Sequence, residues 1–247
     1  MRTFGLLLAL VLVLVAPAAA GAADGTSRGR GLFFSGCAEC HGADLTGVQA
    51  DPSRRGADGK VPAGPPLLGV GELAADFYLR TGYMPLDDPE EQPRRSKPSY
   101  SERDLRALVR FVASFGGPRT PQVDLARGRT SAGLKLFVEN CAGCHQVVGA
   151  GGYLTGAEAV PLDQATARQI AQAVRIGPYV MPRFSERQIS DGELDSLVRY
   201  VLYTQDPRDS GGWSLEHLGP VSEGIVAWLV AGAALLLVAR AIGERIR

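Results

Sequence analysis

The chain has 247 residues, and its 26 basic side chains balance 26 acidic ones, so the formal charge at neutral pH is zero. That balance argues against a nucleic-acid binder, which shows a basic excess. With 21% charged and 45% hydrophobic residues the composition is that of a folded chain, not a disordered one.

Met1 and Arg2 precede an apolar run from Phe4 to Val15, and the small residues Ala16 to Ala23 follow. This is the layout of a secretory signal, with cleavage expected near Ala20; an uncleaved N-terminal membrane segment is the alternative reading of 1–23. Both readings export what comes next. The middle of the chain is a tandem repeat. Thr26-Ser27-x-Gly29-x-x-Leu32-Phe33-x-x-x-Cys37-Ala38-Glu39-Cys40-His41 returns as Thr130-Ser131-x-Gly133-x-x-Leu136-Phe137-x-x-x-Cys141-Ala142-Gly143-Cys144-His145. Arg80 to Met84-Pro85 resembles Arg175 to Met181-Pro182, and Ser101-x-x-Asp104-Leu105-x-x-Leu108-Val109 resembles Ser190-x-x-Glu193-Leu194-x-x-Leu197-Val198. The interval from His to Met and that from Met to the closing Leu are both longer in the first copy, so the two copies are one unit with two loop insertions.

Each unit reads as helical. Ser27 and Ser131 are expected N-caps. Ser101-x-x-Asp104 and Ser190-x-x-Glu193 open the closing helices, and Glu193 is the better match to a reciprocal capping box. Leu105, Leu108, Val109 and Val112 fall at helical spacing, as do Leu194, Leu197, Val198 and Val201. Gly117 to Pro121 stops the first unit, and Asp206-Pro207 closes the second. The expected organisation is a first domain over 24–120, a second over 121–209, a linker over 210–220, a membrane helix over 221–243 and a tail over 244–247. Gly224 to Ala239 carries no charge. Alone it makes roughly 24 Å of helix at ~1.5 Å per residue, and extension to Val221 and Ile242, with Arg240 snorkelling, reaches bilayer thickness. Arg240, Arg245 and Arg247 against Glu244 place the C-terminus on the cytoplasmic side. Ala227, Ala231 and Gly232 offer a small-residue face for helix packing.

All four Cys fall in two Cys-x-x-Cys-His strings, a pattern that reads as covalent attachment of c-type haem. Cysteines three apart on a helical turn point the same way and can each form a thioether with one haem edge, while the adjacent His can bind the iron. A thioredoxin-like dithiol would need a βαβ context, and a zinc site would pool ligands from two separate units. Cys37, Cys40, Cys141 and Cys144 are therefore the expected attachment residues, with His41 and His145 as proximal ligands of two haems. Beyond the initiator the chain has two Met, one per unit, each followed by Pro. Met84 and Met181 are the expected second axial ligands; a His/Met pair closes the coordination sphere and raises the reduction potential. Phe33 and Phe137 are expected in the core or near the haem edge. Pro65-Pro66-Leu67-Leu68 and Gly151-Gly152-Tyr153-Leu154 either line the haem, accept the proximal imidazole N–H on a carbonyl, or form ordinary turns. Asp87 to Pro98 reads as a solvated loop and a secondary candidate for partner docking. His217 reads as a surface residue, and Trp213 as an interfacial one.

Each unit resembles a class I cytochrome c domain, which implies an all-α fold of two such domains plus one C-terminal transmembrane helix. Two such domains followed by Gly219-Pro220-Val221-Ser222-Glu223-Gly224-Ile225 and a single span resemble the di-haem cytochrome c (cytochrome cc) subunit of the actinobacterial menaquinol–cytochrome bcc reductase. The resemblance implies an electron path from a Rieske iron–sulfur subunit beside cytochrome b, through the first and then the second haem, to the copper site of a haem–copper oxidase. The loop insertion after Met84 has no counterpart in the second unit, so assignment of partners to domains does not follow from the repeat. Alternative readings are an independent membrane-tethered di-haem shuttle, a di-haem peroxidase or dehydrogenase, and a related oxidase subunit. The Met-Pro loops argue against the enzyme, and an anchor placed after the haem domains argues against the oxidase subunit.

Overall fold

The computed structural model describes residues 25–56, 59–86, 91–207 and 220–245. The expectations for 1–23, for Asp87 to Glu90, for the linker with Trp213 and His217, and for Arg247 lie outside the described residues.

The first domain opens with helix α1 over 25–36. It continues through the one-turn helix α2 (Ala38–His41), then α3 (Gly71–Arg80) and α4 (Glu102–Ala113). The second repeats the plan with α5 (Thr130–Asn140), α6 (Ala142–His145), α7 (Ala167–Ile176) and α8 (Asp191–Gln205). Between α6 and α7 a two-stranded antiparallel hairpin, β1 (Gly152–Leu154) and β2 (Ala157–Ala159), is the sheet of this otherwise helical structure among the described residues.

The apolar stripes of the closing helices face inward as their spacing requires. Leu105, Leu108, Val109 and Val112 are buried, and so are Leu194, Leu197, Val198 and Val201. Around them stand Phe33, Leu45 and Phe111 in the first core and Phe137, Ile170, Val174 and Ile189 in the second. The first and last helices of each domain cross very closely. A Cβ at Gly29 would lie 2.1 Å from the Ala107 carbonyl oxygen, and one at Gly133 would lie 2.0 Å from that of Ser196. The two Gly therefore occupy equivalent crossing points, a position no larger residue fits.

The capping expectations divide. Ser190 makes the full reciprocal box with Glu193, whereas Ser101 accepts from Asp104 N–H without one. Ser131 is not a cap: α5 starts at Thr130 with Arg129 at the N-cap, and no side chain closes that end. Ser27 likewise sits inside α1. In both, the helix begins earlier than the hydroxyl suggested, because the crossing at the glycine three or fewer residues on already requires helical backbone.

The two domains touch through α3 and α7. At their contact Asp76, buried, accepts from Arg80 Nε at 2.7 Å, Arg168 Nε at 2.8 Å and Gln172 Nε2 at 2.8 Å. Gln172 also donates to the Thr120 hydroxyl at 3.1 Å, and its own Oε1 is buried without a partner. Residues 91–98 form a strap from the first domain to the second. Gln92 exchanges two hydrogen bonds with the backbone of Glu158, at 2.7 and 2.8 Å. Arg95 Nη2 donates to the Gln164 carbonyl at 2.8 Å and to Gln169 Oε1 at 3.0 Å. The described part of the charged insertion is exposed at 91 and 94–97, as a solvated loop would be, but Gln92 and Arg95 also tie it to the neighbouring domain.

The C-terminal segment is a separate unit, consisting over its described part of helix α9 (Pro220–Arg245). Gly224–Glu244 is long and apolar enough to cross a membrane, with a mean hydropathy of 2.3. Arg240 and Glu244 pair within it at 2.9 Å, one turn apart.

Candidate functional site

In the first domain α1 carries Cys37 to the mouth of a cavity of about 360 Å³. Cys37 N–H bonds back to the Phe33 carbonyl, and His41 N–H to that of Cys37, so the Cys-x-x-Cys-His string is a continuation of the helix by one turn. That turn points Cys37 and His41 into the same cavity, whose far wall holds Met84. Phe33, Leu67 and Leu108 supply apolar walls. His41 Nδ1 lies 2.8 Å from the Pro65 carbonyl oxygen. A carbonyl only accepts, so Nδ1 carries the proton and Nε2 is left as a ligand nitrogen. This matches one of the roles expected of the Pro65-Pro66 segment. The Met84–Pro85 peptide is cis.

The second domain repeats the arrangement in two adjoining lobes of about 90 and 120 Å³, both lined by Cys141, His145 and Met181. Cys144 lines the second lobe. His145 Nδ1 lies 3.0 Å from the Val160 carbonyl oxygen. The acceptor is thus Val160, just after β2, and not the Gly151 to Leu154 segment; of the roles open to that segment it takes the lining one, since Leu154, at the end of β1, lines the second lobe. Phe137 is buried and lines the first lobe, as Phe33 lines the other cavity, so these two side chains serve core and cavity together.

Electrostatics at both sites follow from burial. The Cys141 thiol is pushed up to about 11 by desolvation and then by Cys144. Burial also raises Cys37, against a hydrogen bond with Tyr100. His145 is held below the ordinary imidazole range by burial, opposed by its bond to Val160. Sulfur and imidazole donors in apolar walls suit a soft metal centre. The donors present — two thiols on one turn, an oriented imidazole and a thioether in the same cavity wall, with Cys40 outside the first cavity's lining — fit covalently bound haem c.

The domains also line each other's cavities. Tyr179 of the second domain lines the first cavity. Phe77, Tyr83 and Arg95 of the first domain line the second. Pro93 and Tyr179 belong to the walls of both. The repeat alone did not show this sharing; the signal available was the tyrosine shortly before each Met, Tyr83 one residue and Tyr179 two residues upstream.

Residues 26–116 match the family model described as Cytochrome c, and residues 128–201 match Cytochrome C oxidase, cbb3-type, subunit III. Fold and site together define a membrane-segment-bearing c-type cytochrome with two cytochrome c domains and covalent haem c, whose activity is electron transfer. Proteins named cytochrome bc1 complex cytochrome c subunit are similar over most of their length. That of Corynebacterium diphtheriae is 36% identical over 88% of this chain and 80% of its own, and that of Mycobacterium tuberculosis 37% identical over 88% and 77%. The chain belongs to this family. A weaker similarity, 28% identity over 70% of the chain, extends to a cbb3-type cytochrome c oxidase subunit CcoP of Azospirillum.

Proposed function

We propose that the chain holds two haem c groups in series and serves as the electron-carrying subunit of a respiratory quinol–cytochrome c reductase of the bcc type. The observation that carries this is the twofold gathering of residues distant in sequence: Cys37, His41 and Met84 on one cavity, Cys141, His145 and Met181 on the other. Cys37 with Cys40 would hold the first group, and Cys141 with Cys144 the second. Each haem c, when bound, supplies a one-electron iron couple. The chain does the rest. Carbonyl oxygens of Pro65 and Val160 fix the imidazoles of His41 and His145 with Nε2 toward the cavity. The thioethers of Met84 and Met181 would complete the ligand sets and so keep peroxide and other small ligands out. Phe33 and Phe137 exclude water. The common wall of Pro93 and Tyr179 brings the two sites within one layer of side chains of each other.

The partners are a Rieske iron–sulfur subunit and cytochrome b on the donor side, and a haem–copper oxidase on the acceptor side. The names of the bc1-complex relatives support the first, and the similarity of the second domain to an oxidase subunit supports an oxidase as acceptor. The single C-terminal span keeps both domains on the extracytoplasmic side with the C-terminus in the cytoplasm, and tethering raises their effective concentration beside the complex. The chain is not catalytic on its own. The domain limits are those set out from the repeat, with 1–23 a signal peptide or an N-terminal membrane segment that directs export.

Intact mass of the purified chain tests the central claim, with two haem masses added as the expected result. Met84→Ala and Met181→Ala should each abolish the sulfur-to-iron charge-transfer band of one site and open that iron to exogenous ligands. A spectrum untouched by both substitutions would refute His/Met ligation. Co-purification in mild detergent with cytochrome b and Rieske subunits is expected; isolation as a lone chain would favour an independent shuttle.

A further inference from the structure

The cation lining the second cavity comes from the other domain, while the carboxylate at its wall, Glu158, belongs to the second. Haem c carries two carboxylates, and a carboxylate set among apolar side chains needs a cation or several hydrogen bonds to remain ionised. The walls of the second cavity are mostly apolar, Phe137, Ile170, Val174 and Leu197 among them, with Thr81, Tyr83, Gln92, Asn140, Glu158 and Gln169 as polar members. Among the residues lining either lobe, the Lys or Arg is Arg95, and it belongs to the strap of the first domain. Its guanidinium end is fixed at the cavity wall, since Nη2 bonds Gln169 Oε1, a residue lining the same lobe, and the Gln164 carbonyl. Both acceptors are neutral, and among the described residues no carboxylate pairs with Arg95. A guanidinium has five donors in a rigid fork matched to carboxylates, and the two bonds from Nη2 leave Nε and Nη1 to serve. Gln92, bonded twice to the Glu158 backbone, holds the strap in place beside it.

We propose that Arg95 is a positioning residue for the second domain's haem: it pairs with the carboxylate substituents and, by its charge, raises that site's reduction potential. Docking of the first domain thereby sets the electron affinity of the second. This rests on the two-haem reading above. The sign is fixed by charge: the oxidised iron site is one unit more positive than the reduced one, so a nearby cation disfavours oxidation.

The test is a spectroelectrochemical titration of the full-length holoprotein in detergent, with the second site identified by Met181→His, which lowers its potential. Arg95→Gln should lower the second site's reduction equilibrium constant about tenfold, about 59 mV for one electron, and leave the first unchanged. Arg95→Lys should shift it less than threefold. Arg94→Gln, an exposed neighbour on the same strap that lines neither lobe, should shift neither site. Arg95→Met is a second neutral variant of similar length, and whichever neutral variant matures is decisive. If neither retains the second haem by mass while Arg95→Lys does, the pairing stands. Equal shifts at both sites, no shift, the same shift from Arg94→Gln, or loss of haem from Arg95→Lys would overturn it. A wild-type protein with one haem would instead sink the underlying two-haem reading, so the two failures are distinct.

Discussion

A single hydrogen atom in place of a side chain decides how each domain closes. At Gly29 and Gly133 the obstacle to a Cβ is a backbone carbonyl of the partner helix, at 2.1 and 2.0 Å, not the tip of a flexible side chain. Relief requires moving α1 from α4, or α5 from α8, and those are the contacts that seat Phe33 and Phe137. Gly133→Ala should therefore behave as overpacking and cost about 1–3 kcal/mol, despite alanine's better helix propensity. Gly29→Ala should cost a similar amount. Denaturant unfolding of each holoprotein variant measures this as a lower midpoint at unchanged slope. By contrast Gly143, whose Cβ would meet nothing, should accept alanine without loss. The recurrence of Gly29 and Gly133 was visible in the repeat. What the glycines are for was not, because the carbonyls they approach lie in another helix far along the chain. The same limit applies to the imidazole acceptors. Pro65 fell within the expected segment, but Val160 did not, since the hairpin that moves it into reach of His145 has strands too short to show an alternating pattern.

At the scale of elements, the closing helices were legible and the middle ones were not. Strong apolar periodicity and Ser-x-x-acid openings marked α4 and α8. Helices α3 and α7 meet each other through polar residues, Asp76 on one and Arg168 and Gln172 on the other. That contact is polar, so no apolar pattern in the sequence marks it. The caps give a matched prediction. The Ser190 and Ser101 hydroxyls each accept from the amide three residues on, at 3.4 and 3.3 Å, and donate to the acidic side chain there, at 2.7 and 2.8 Å. Ser190→Ala and Ser101→Ala should therefore each cost about 1 kcal/mol, and parallel melts of the two variants check that they fall together. The start of α4 also carries a pH response. Hydrogen bonds from Arg80 hold the Glu102 carboxyl down at about 2, with the charges of Arg80 and Arg106 adding to the effect. A depressed acid stabilises above its unfolded value and loses that contribution as pH falls through the folded one, so the window runs downward from the ordinary carboxylate range to about 2. Glu102 is 52% exposed, and solvent screening keeps its share at about 1 kcal/mol or less. Glu102→Gln should flatten this part of the acid limb in a pH series of unfolding midpoints.

At the scale of the whole molecule, the two units are tandem in sequence but interlocked in space, and the residues responsible are charged ones that a sequence reading assigns to solvent. The strap reaches the second domain, and Asp76 gathers donors from both. Asp76 makes the sharper test because its side chain is 3% exposed and satisfies Arg80, Arg168 and Gln172 at once. Truncating a buried partner strands the others, an effect of about 3–5 kcal/mol where all are buried. Here Arg168 is 47% exposed and can rehydrate, and Arg80 keeps Glu102, which places Asp76→Ala toward the lower end. Gln172 has no such escape: it is fully buried with Oε1 already unpaired, and it would retain only Thr120. The loss falls on the contact between domains and leaves each hydrophobic core intact. The wild-type holoprotein should accordingly unfold with both haem sites in one transition, and Asp76→Ala should split it into two, followed through the haem bands and by calorimetry. Asp76→Asn, which keeps one acceptor oxygen but reverses the polarity of the other, should fall between. A single transition in Asp76→Ala with the wild-type midpoint would mean that the strap alone holds the domains together, and then Gln92→Ala would have to produce the split instead.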